Sequence, residues 1–250
     1  MNTDVWTLQL GELSVHVVRR RIKHLHIGVY PPDGRVRVAA PMLLSTDAVR
    51  LAVIDRLAWI RQHQRVFETQ ERQSPRTIVT GESHYLFGRR YRLRVVETTG
   101  APRVVLKSRS AIDLFVRPGT PGAKREALLA AWAREHLIAV LAPLVERWQE
   151  RIGVYAAEWG VKRMKTKWGS FSTSSRRLWF NSELVKHSPV CVEYVVVHEL
   201  LHLLDPTHGP FFVTLLDCYF PRWRATRSRL NAAPLGHERW ASWVTDGAPD

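Results

Sequence analysis

Two histidines and a glutamate lie at a spacing that can hold a metal ion and use it in catalysis. The segment His198-Glu199-Leu200-Leu201-His202 places the two histidines four residues apart. On an α-helix such residues are separated by roughly 40° around the axis, so both imidazoles project from one face and can share an ion. Neutral imidazole suits Zn²⁺, and a carboxylate beside the first ligand can accept a proton from water as it attacks a carbonyl group. These residues predict a zinc-dependent hydrolase with His198 and His202 as metal ligands and Glu199 as general base.

A third histidine follows at a distance that suits the same ion. His208 lies six residues after His202, beyond an Asp205-Pro206 pair that should end the helix and turn the chain back. Asp205 is the nearer acidic group, but its position at the helix end favours a cap or a turn. Asp217 lies in the next predicted helix and could accept a hydrogen bond from a ligating histidine. We therefore predict His208 as the third ligand of the ion.

A purely structural zinc site is the alternative for these ligands. Such sites usually close with a fourth protein ligand, often a cysteine. Cys191 precedes His198 by two helical turns, about 10.5 Å along the axis, so one ion cannot bind both residues. Three protein ligands leave one position open, which is typical of catalytic zinc.

The histidine pair needs a helix, and the flanking residues predict one. Ser188-Pro189 is a typical N-terminal cap followed by a first-turn proline, and neither glycine nor proline recurs before Pro206. The stretch from Val190 to Leu204 is so poor in charge that the helix should be nearly surrounded by protein. The β-branched run Val195-Val196-Val197 would also suit a buried strand, but length and bracketing favour the helix.

The first half of the chain predicts strands around one packed helix. Hairpins are expected at Gly11-Glu12, between 5–10 and 13–18, and at Asp33-Gly34. Ser45 can cap a helix whose apolar stripe runs from Val49 to Ile60. Alternating apolar residues predict further strands around 91–95 and 112–116. We find no repeat in the sequence.

The period of the apolar residues changes after Pro118-Gly119-Thr120-Pro121-Gly122. Residues 123–151 predict a helix that Pro143 should kink or split, and 164–181 predict a hairpin turning at 172–175. We therefore expect an α+β fold with three parts. These are an N-terminal, mostly antiparallel β subdomain over 1–120, a mainly helical subdomain with a β-hairpin over 121–233, and a C-terminal tail over 234–250.

Composition narrows the class of protein. The chain has 250 residues, 45% of them hydrophobic, which is enough for a substantial core. Two cysteines are too few for a disulfide framework, and we expect both thiols to be buried. No run approaches the roughly 18 uninterrupted apolar residues of a membrane span, and no secretory signal pattern is present. We expect a cytoplasmic protein that does not enter a membrane.

The net charge of +14 leaves nucleic acid open as a partner. Cations mix with apolar or aromatic residues at 19–23, 87–94 and 222–229. Arginine supplies most of the basic residues, however, a bias that can reflect genome composition, and no nucleic-acid-binding motif is present. Two alternatives therefore remain for the basic residues: contact with nucleic acid through a basic surface, or a bias of composition without a role in binding.

Four segments share their order and spacing with a known family: Met164-Lys165-Thr166-Lys167-Trp168-Gly169-Ser170, Leu178-Trp179-Phe180-Asn181-Ser182-Glu183-Leu184, Tyr194-Val195-Val196-Val197-His198-Glu199-Leu200-Leu201-His202 and His208-Gly209-Pro210-Phe211-Phe212. They resemble the YgjP-like metallopeptidase domain, a relative of the SprT-like zinc peptidases. Looser similarity reaches Asp33-Gly34, Trp59-Ile60 and 81–91. The resemblance implies a zincin-like catalytic half that cleaves proteins or peptides, with His198, His202 and His208 as ligands and Glu199 as base. Phe171 departs from the family, which commonly has cysteine there.

Three hypotheses about function follow. Metal-assisted peptide hydrolysis is favoured. A nucleotide hydrolase would need phosphate-cradling glycine-rich loops or carboxylate-rich metal sites, and the sequence shows neither. A protease acting on nucleic-acid-bound proteins would use the basic surface, as the similarity to SprT-like proteins suggests. By analogy with other zincins, the strand around Trp179 to Asn181 could pair with an extended substrate, or it could serve only as hairpin core.

Overall fold

The computed structural model describes residues 5–30, 34–69, 77–164 and 167–232. The described residues form two compact units, which divide between residues 69 and 77. The predicted subdomain boundary at 120/121 falls inside the second unit and stays a prediction. Asp33 and the predicted tail over 234–250 lie outside the described residues. Helices and several small sheets make up both units, so the α+β class is confirmed.

The first unit is a four-stranded sheet followed by two helices. Its elements are β1 (Val5–Leu10), β2 (Leu13–Arg20), β3 (His26–Tyr30), β4 (Arg35–Pro41), α1 (Thr46–Asp55) and α2 (Leu57–Thr69). The strand order is β1-β2-β4-β3, with β2 and β4 parallel between antiparallel outer pairs. Ser45 caps α1 as predicted, because its Oγ accepts a hydrogen bond from the Ala48 N–H. The single predicted helix is interrupted at Arg56, whose backbone leaves the helical region.

The second unit begins with a sheet of the same topology. Its strands are β5 (Ser83–Leu86), β6 (Arg89–Glu97), β7 (Arg103–Leu106) and β8 (Ala111–Val116), in the order β5-β6-β8-β7 with β6 and β8 parallel. Each sheet is followed by a helix in which a tryptophan carbonyl oxygen contacts the Nδ1 atom of a histidine one turn later. The pairs are Trp59 with His63 in α2 and Trp132 with His136 in the helix over 122–152. The fold therefore repeats a module that the sequence did not reveal.

Helix α3 (Gly122–Ile152) runs unbroken through Pro143, so the predicted split is wrong. Its buried residues, such as Leu137, Leu141 and Val145, belong to the core that also contains most of the next long helix, and this packing stabilises the turn around the proline. By length and hydropathy α3 is the one described helix that could cross a membrane, a test that core helices also pass.

The remaining elements surround the predicted site. They are β9 (Glu158–Lys162), β10 (Gly169–Ser172), β11 (Arg177–Asn181), a 3-10 helix (Ser182–Lys186), α4 (Pro189–Leu201), α5 (Pro210–Tyr219) and α6 (Trp223–Asn231). The predicted hairpin is confirmed as β10 and β11. The sheet order is β10-β11-β9, so β11 lies in the middle. Both cysteines are free, but only Cys191 is buried and Cys218 is exposed.

Candidate metal centre

Helix α4 carries the first two histidines and lies in the core. Nine of its residues are buried, including the run Val195-Val196-Val197, so the helix is confirmed and a strand is excluded. It begins at Pro189 and ends at Leu201 rather than at the predicted Leu204, with His202 as its C-terminal cap. His198 therefore lies in the last turn of the helix and His202 at its end.

The three predicted ligands come together. The potential ligand atoms of His198, His202 and His208 all lie within 4.8 Å of one another, and the Nε2 atoms of His198 and His208 are 3.1 Å apart. A tetrahedral zinc ion with Zn–N distances of about 2.0–2.1 Å needs nitrogens separated by about 3.3 Å. Three imidazole nitrogens are also the donor set that zinc accepts in catalytic sites. The residues present therefore fit a metal ion.

A backbone carbonyl orients His202. The Nδ1 of His202 lies 3.0 Å from the Asp205 carbonyl oxygen, which can only accept, so Nδ1 donates and Nε2 is free to bind a cation. The Asp205 carboxylate holds the turn by accepting from the N–H and hydroxyl of Thr207. Asp205 therefore makes the turn predicted for it. The predicted contact of Asp217 with a histidine is wrong, because its carboxylate accepts from Trp223 Nε1 and pairs with Arg224.

Phe212 on α5 packs against all three histidines. Its ring centroid lies 5.0 Å from those of His198 and His208 and 4.6 Å from that of His202, on which it stacks. Phe212 is almost fully buried, so it closes one side of the cluster to water. The sequence showed this residue only as part of a family segment, with no sign of its role.

Burial keeps the histidines neutral. It lowers the pKa of His198 to about 3, and the neighbouring imidazoles act in the same direction. Burial is also the main cause of the lowered pKa values of His202 and His208. Neutral imidazole is the form that binds a metal, so little free energy is needed to displace protons at neutral pH.

Glu199 is a buried carboxylate on the same helix. Only 5% of its surface is exposed, and burial raises its pKa to about 8, while Lys167 acts in the opposite direction. The carboxylate lies against Gly169 of β10: a methyl group on Gly169 would be 2.4 Å from Oε1. The glycine of the Trp168-Gly169-Ser170 motif is therefore required by the close approach of Glu199.

Asn181 holds the loop that leads into β10. Its Nδ2 donates to the carbonyl oxygens of Met164 and Lys167, each at 2.8 Å, and its Oδ1 accepts from the N–H of Met164. Its own N–H donates to the Trp168 carbonyl. Asn181 is buried and thereby fixes Lys167 and Gly169 beside Glu199. Phe171, which replaces the usual cysteine of the family, is half-buried against the core.

Comparison with known proteins identifies a family for most of the chain. The model of a family described as YgjP-like, metallopeptidase domain, matches residues 24–233. Two solved structures, the metallopeptidase zymogens jannalysin of Methanocaldococcus jannaschii and abylysin of Pyrococcus abyssi, match 35% of this chain and 90% and 89% of theirs. Their identities are 23% and 19%, and the TM-score is 0.33 in each case. No curated protein matches the chain.

Proposed function

Because the chain belongs to the YgjP-like metallopeptidase domain family, we propose that it is a zinc-dependent peptidase in which His198, His202 and His208 hold the ion and Glu199 is the general base. The observation that carries this proposal is the set of three imidazole nitrogens within 4.8 Å, on a helix that also presents a buried carboxylate. The substrate class is protein or peptide, as the family implies.

Zinc, Glu199 and the Asp205 carbonyl would have separate roles in peptide hydrolysis. When bound, zinc polarises a carbonyl group and lowers the pKa of water. Glu199 accepts a proton from the water whose oxygen attacks the carbonyl carbon, and then delivers that proton to the leaving amine nitrogen as the C–N bond breaks. The Asp205 carbonyl keeps the His202 ring in the required orientation through Nδ1.

Strand β10 is the better candidate for pairing with an extended substrate. Both edges of β11 are already occupied by β10 and β9, so of the two alternatives for the strand at 179–181 the role in the hairpin core is favoured over pairing with a substrate. Within the described residues β10 pairs only with β11. A peptide added along its other edge would form main-chain hydrogen bonds on a strand that already touches Glu199 through Gly169.

Metal analysis combined with a peptidase assay tests the proposal. We expect the purified protein to contain zinc and to cleave unstructured polypeptide, and Glu199→Gln to keep the zinc and lose cleavage. His208→Ala should lose zinc, because two imidazoles bind it far more weakly than three. Equal zinc in His208→Ala and the parent, or full cleavage by Glu199→Gln, would show that the assignment is wrong. Phosphate release from nucleoside triphosphates without peptide cleavage would favour a nucleotide hydrolase instead.

A further inference from the structure

The outer face of the second four-stranded sheet carries a row of arginines. Side chains alternate along a strand, so Arg90, Arg92 and Arg94 of β6 project from one face while Tyr91 and Leu93 point into the core. All three arginines are exposed. Successive cations on such a strand are separated by roughly 6.7 Å along its axis. The result is a row of positive charge on one face of the sheet.

Aromatic side chains lie on the same face at both ends of this row. Tyr85 on β5 is paired in register with Arg90 and is 41% exposed. Phe115 on β8 lies between Val96 and Arg103 in register, and the Arg103 guanidinium is 4.0 Å from its ring centroid. We call these residues the basic sheet face: Tyr85, Arg90, Arg92, Arg94, Arg103 and Phe115.

The basic sheet face offers almost no negative charge. Asp113 is the only acidic residue of strands β5 to β8 on this side, and its carboxylate is 3% exposed because Arg94 covers it with two hydrogen bonds. The side chain of Arg94 remains 56% exposed above it. Lys107 and Arg109, in the turn between β7 and β8, add exposed cations beside Arg92, whose N–H donates to Ser110 in that turn.

We propose that the basic sheet face binds single-stranded nucleic acid. A line of exposed cations attracts a phosphate backbone and releases its counterions. The exposed ring of Tyr85 can stack with an unpaired base, which a duplex does not offer, and four-stranded sheets with exposed aromatic rings are a common platform for single-stranded RNA. This role is separate from the proposed peptidase activity and does not depend on it.

Fluorescence anisotropy with labelled oligouridylate and oligothymidylate, over a series of salt concentrations, tests the proposal on the full chain. The charge variant is Arg90→Gln with Lys107→Gln and Arg109→Gln, since the side chains of these residues make no hydrogen bond or ion pair with the described part of the chain. Arg92 and Arg94 stay unchanged, because they bind the Gly81 carbonyl and Asp113. A matched control removes the same charge from exposed positions on α1 and α2 and at the residue between them: Arg50→Gln, Arg56→Gln and Arg61→Gln.

We expect the parent to bind and its affinity to fall steeply with salt. A single-stranded site loses about 0.7 in the slope of log K against log salt for each phosphate contact, so the charge variant should lose about 2. The control variant should bind like the parent. Tyr85→Ala should weaken binding at least about fivefold, and Tyr85→Phe, which keeps the ring, should not.

Several outcomes would overturn the proposal. These are a parent that does not bind, a control variant that weakens binding as much as the charge variant, and equal binding of duplex that is unaffected by Tyr85→Ala. Displacement of the oligonucleotide by polyglutamate at the same charge concentration would instead identify an acidic protein as the partner. The peptidase assay uses other residues, so failure here leaves that proposal untouched.

Discussion

Replacing Gly169 with alanine tests how closely the fold holds the proposed general base. The added methyl group would lie 2.4 Å from Oε1, 2.5 Å from Cγ and 2.6 Å from Cδ of Glu199, whereas ordinary contact begins at 3.4 Å. The carboxylate, the strand or both must therefore move apart by about 1 Å. A displacement of about 1 Å in an active site can cost roughly 100-fold in rate. We expect kcat/KM to fall by about that factor.

The effect should come from position rather than from backbone strain or loss of metal. Gly169 is not among the glycines with positive φ, so alanine is compatible with its extended backbone. The three atoms nearest to the new methyl group all belong to Glu199 and none to a histidine. Zinc content should therefore match the parent, while kcat falls.

Gly160→Ala is the matched control. Gly160 lies in the same sheet, and a methyl group there would be 2.7 Å from the ring of Trp179 rather than from Glu199. Each substitution should lower the free energy of unfolding by about 1–3 kcal/mol through overpacking. Only Gly169→Ala should reduce turnover by the metal-loaded protein.

The assay is cleavage of a fluorogenic polypeptide, with zinc content and thermal unfolding measured on the same preparations. In a Glu199→Gln background, Gly169→Ala should cause no additional loss of activity, because the side chain that it displaces can no longer act as a base. The reasoning is refuted if Gly169→Ala turns over like the parent at full zinc content. It is equally refuted if Gly160→Ala loses as much activity.

Three further predictions concern the surroundings of the metal centre. Asn181→Asp removes the two hydrogen bonds that Asn181 donates to the loop before β10, and it should lower both Tm and kcat at unchanged zinc content. Unchanged Tm and kcat would show that these hydrogen bonds do not hold the loop in place. Asp205→Ala should weaken zinc affinity about 10- to 100-fold, because it loosens the turn that orients His202. Asp217→Asn should leave the zinc affinity unchanged. Competition with a chelating dye measures the affinity of both variants. The three histidines have lowered pKa values, so protons should compete with zinc only below pH 6.5, the ordinary pKa of histidine. Dialysis at graded pH followed by metal analysis should show that zinc is retained down to pH 6.5 and lost further below it. A midpoint of zinc loss above pH 6.5 would contradict the argument that burial keeps the histidines neutral.

Local spacing was enough to predict that His198, His202 and His208 lie together. Residues four apart on a helix share a face whatever surrounds them, and a short turn limits how far His208 can lie from His202. The same local rules predicted the cap at Ser45 and the hairpin of β10 and β11. Neighbouring residues decide these features, so a single sequence can show them.

Other features depend on parts of the chain that meet only in the folded protein. The order β1-β2-β4-β3 and its repetition follow from strand pairing, and the unbroken helix at Pro143 follows from core packing that outweighs a local preference. The partner of His202 is a backbone carbonyl, which has no signature in residue type. The sequence alone allowed a hydrogen bond from a histidine to Asp217, but in the fold the Asp217 side chain points toward Trp223 and Arg224.

The proposed general base shows most clearly which features local sequence sets and which features tertiary structure sets. The sequence by itself determined that Glu199 stands beside His198 on a helix, because that relation is set by helical geometry alone. Only the tertiary structure decided where its carboxylate lies. Asn181, Gly169 and Lys167 precede Glu199 by 18, 30 and 32 residues. Long-range strand pairing, which local sequence does not encode, brings them to the helix.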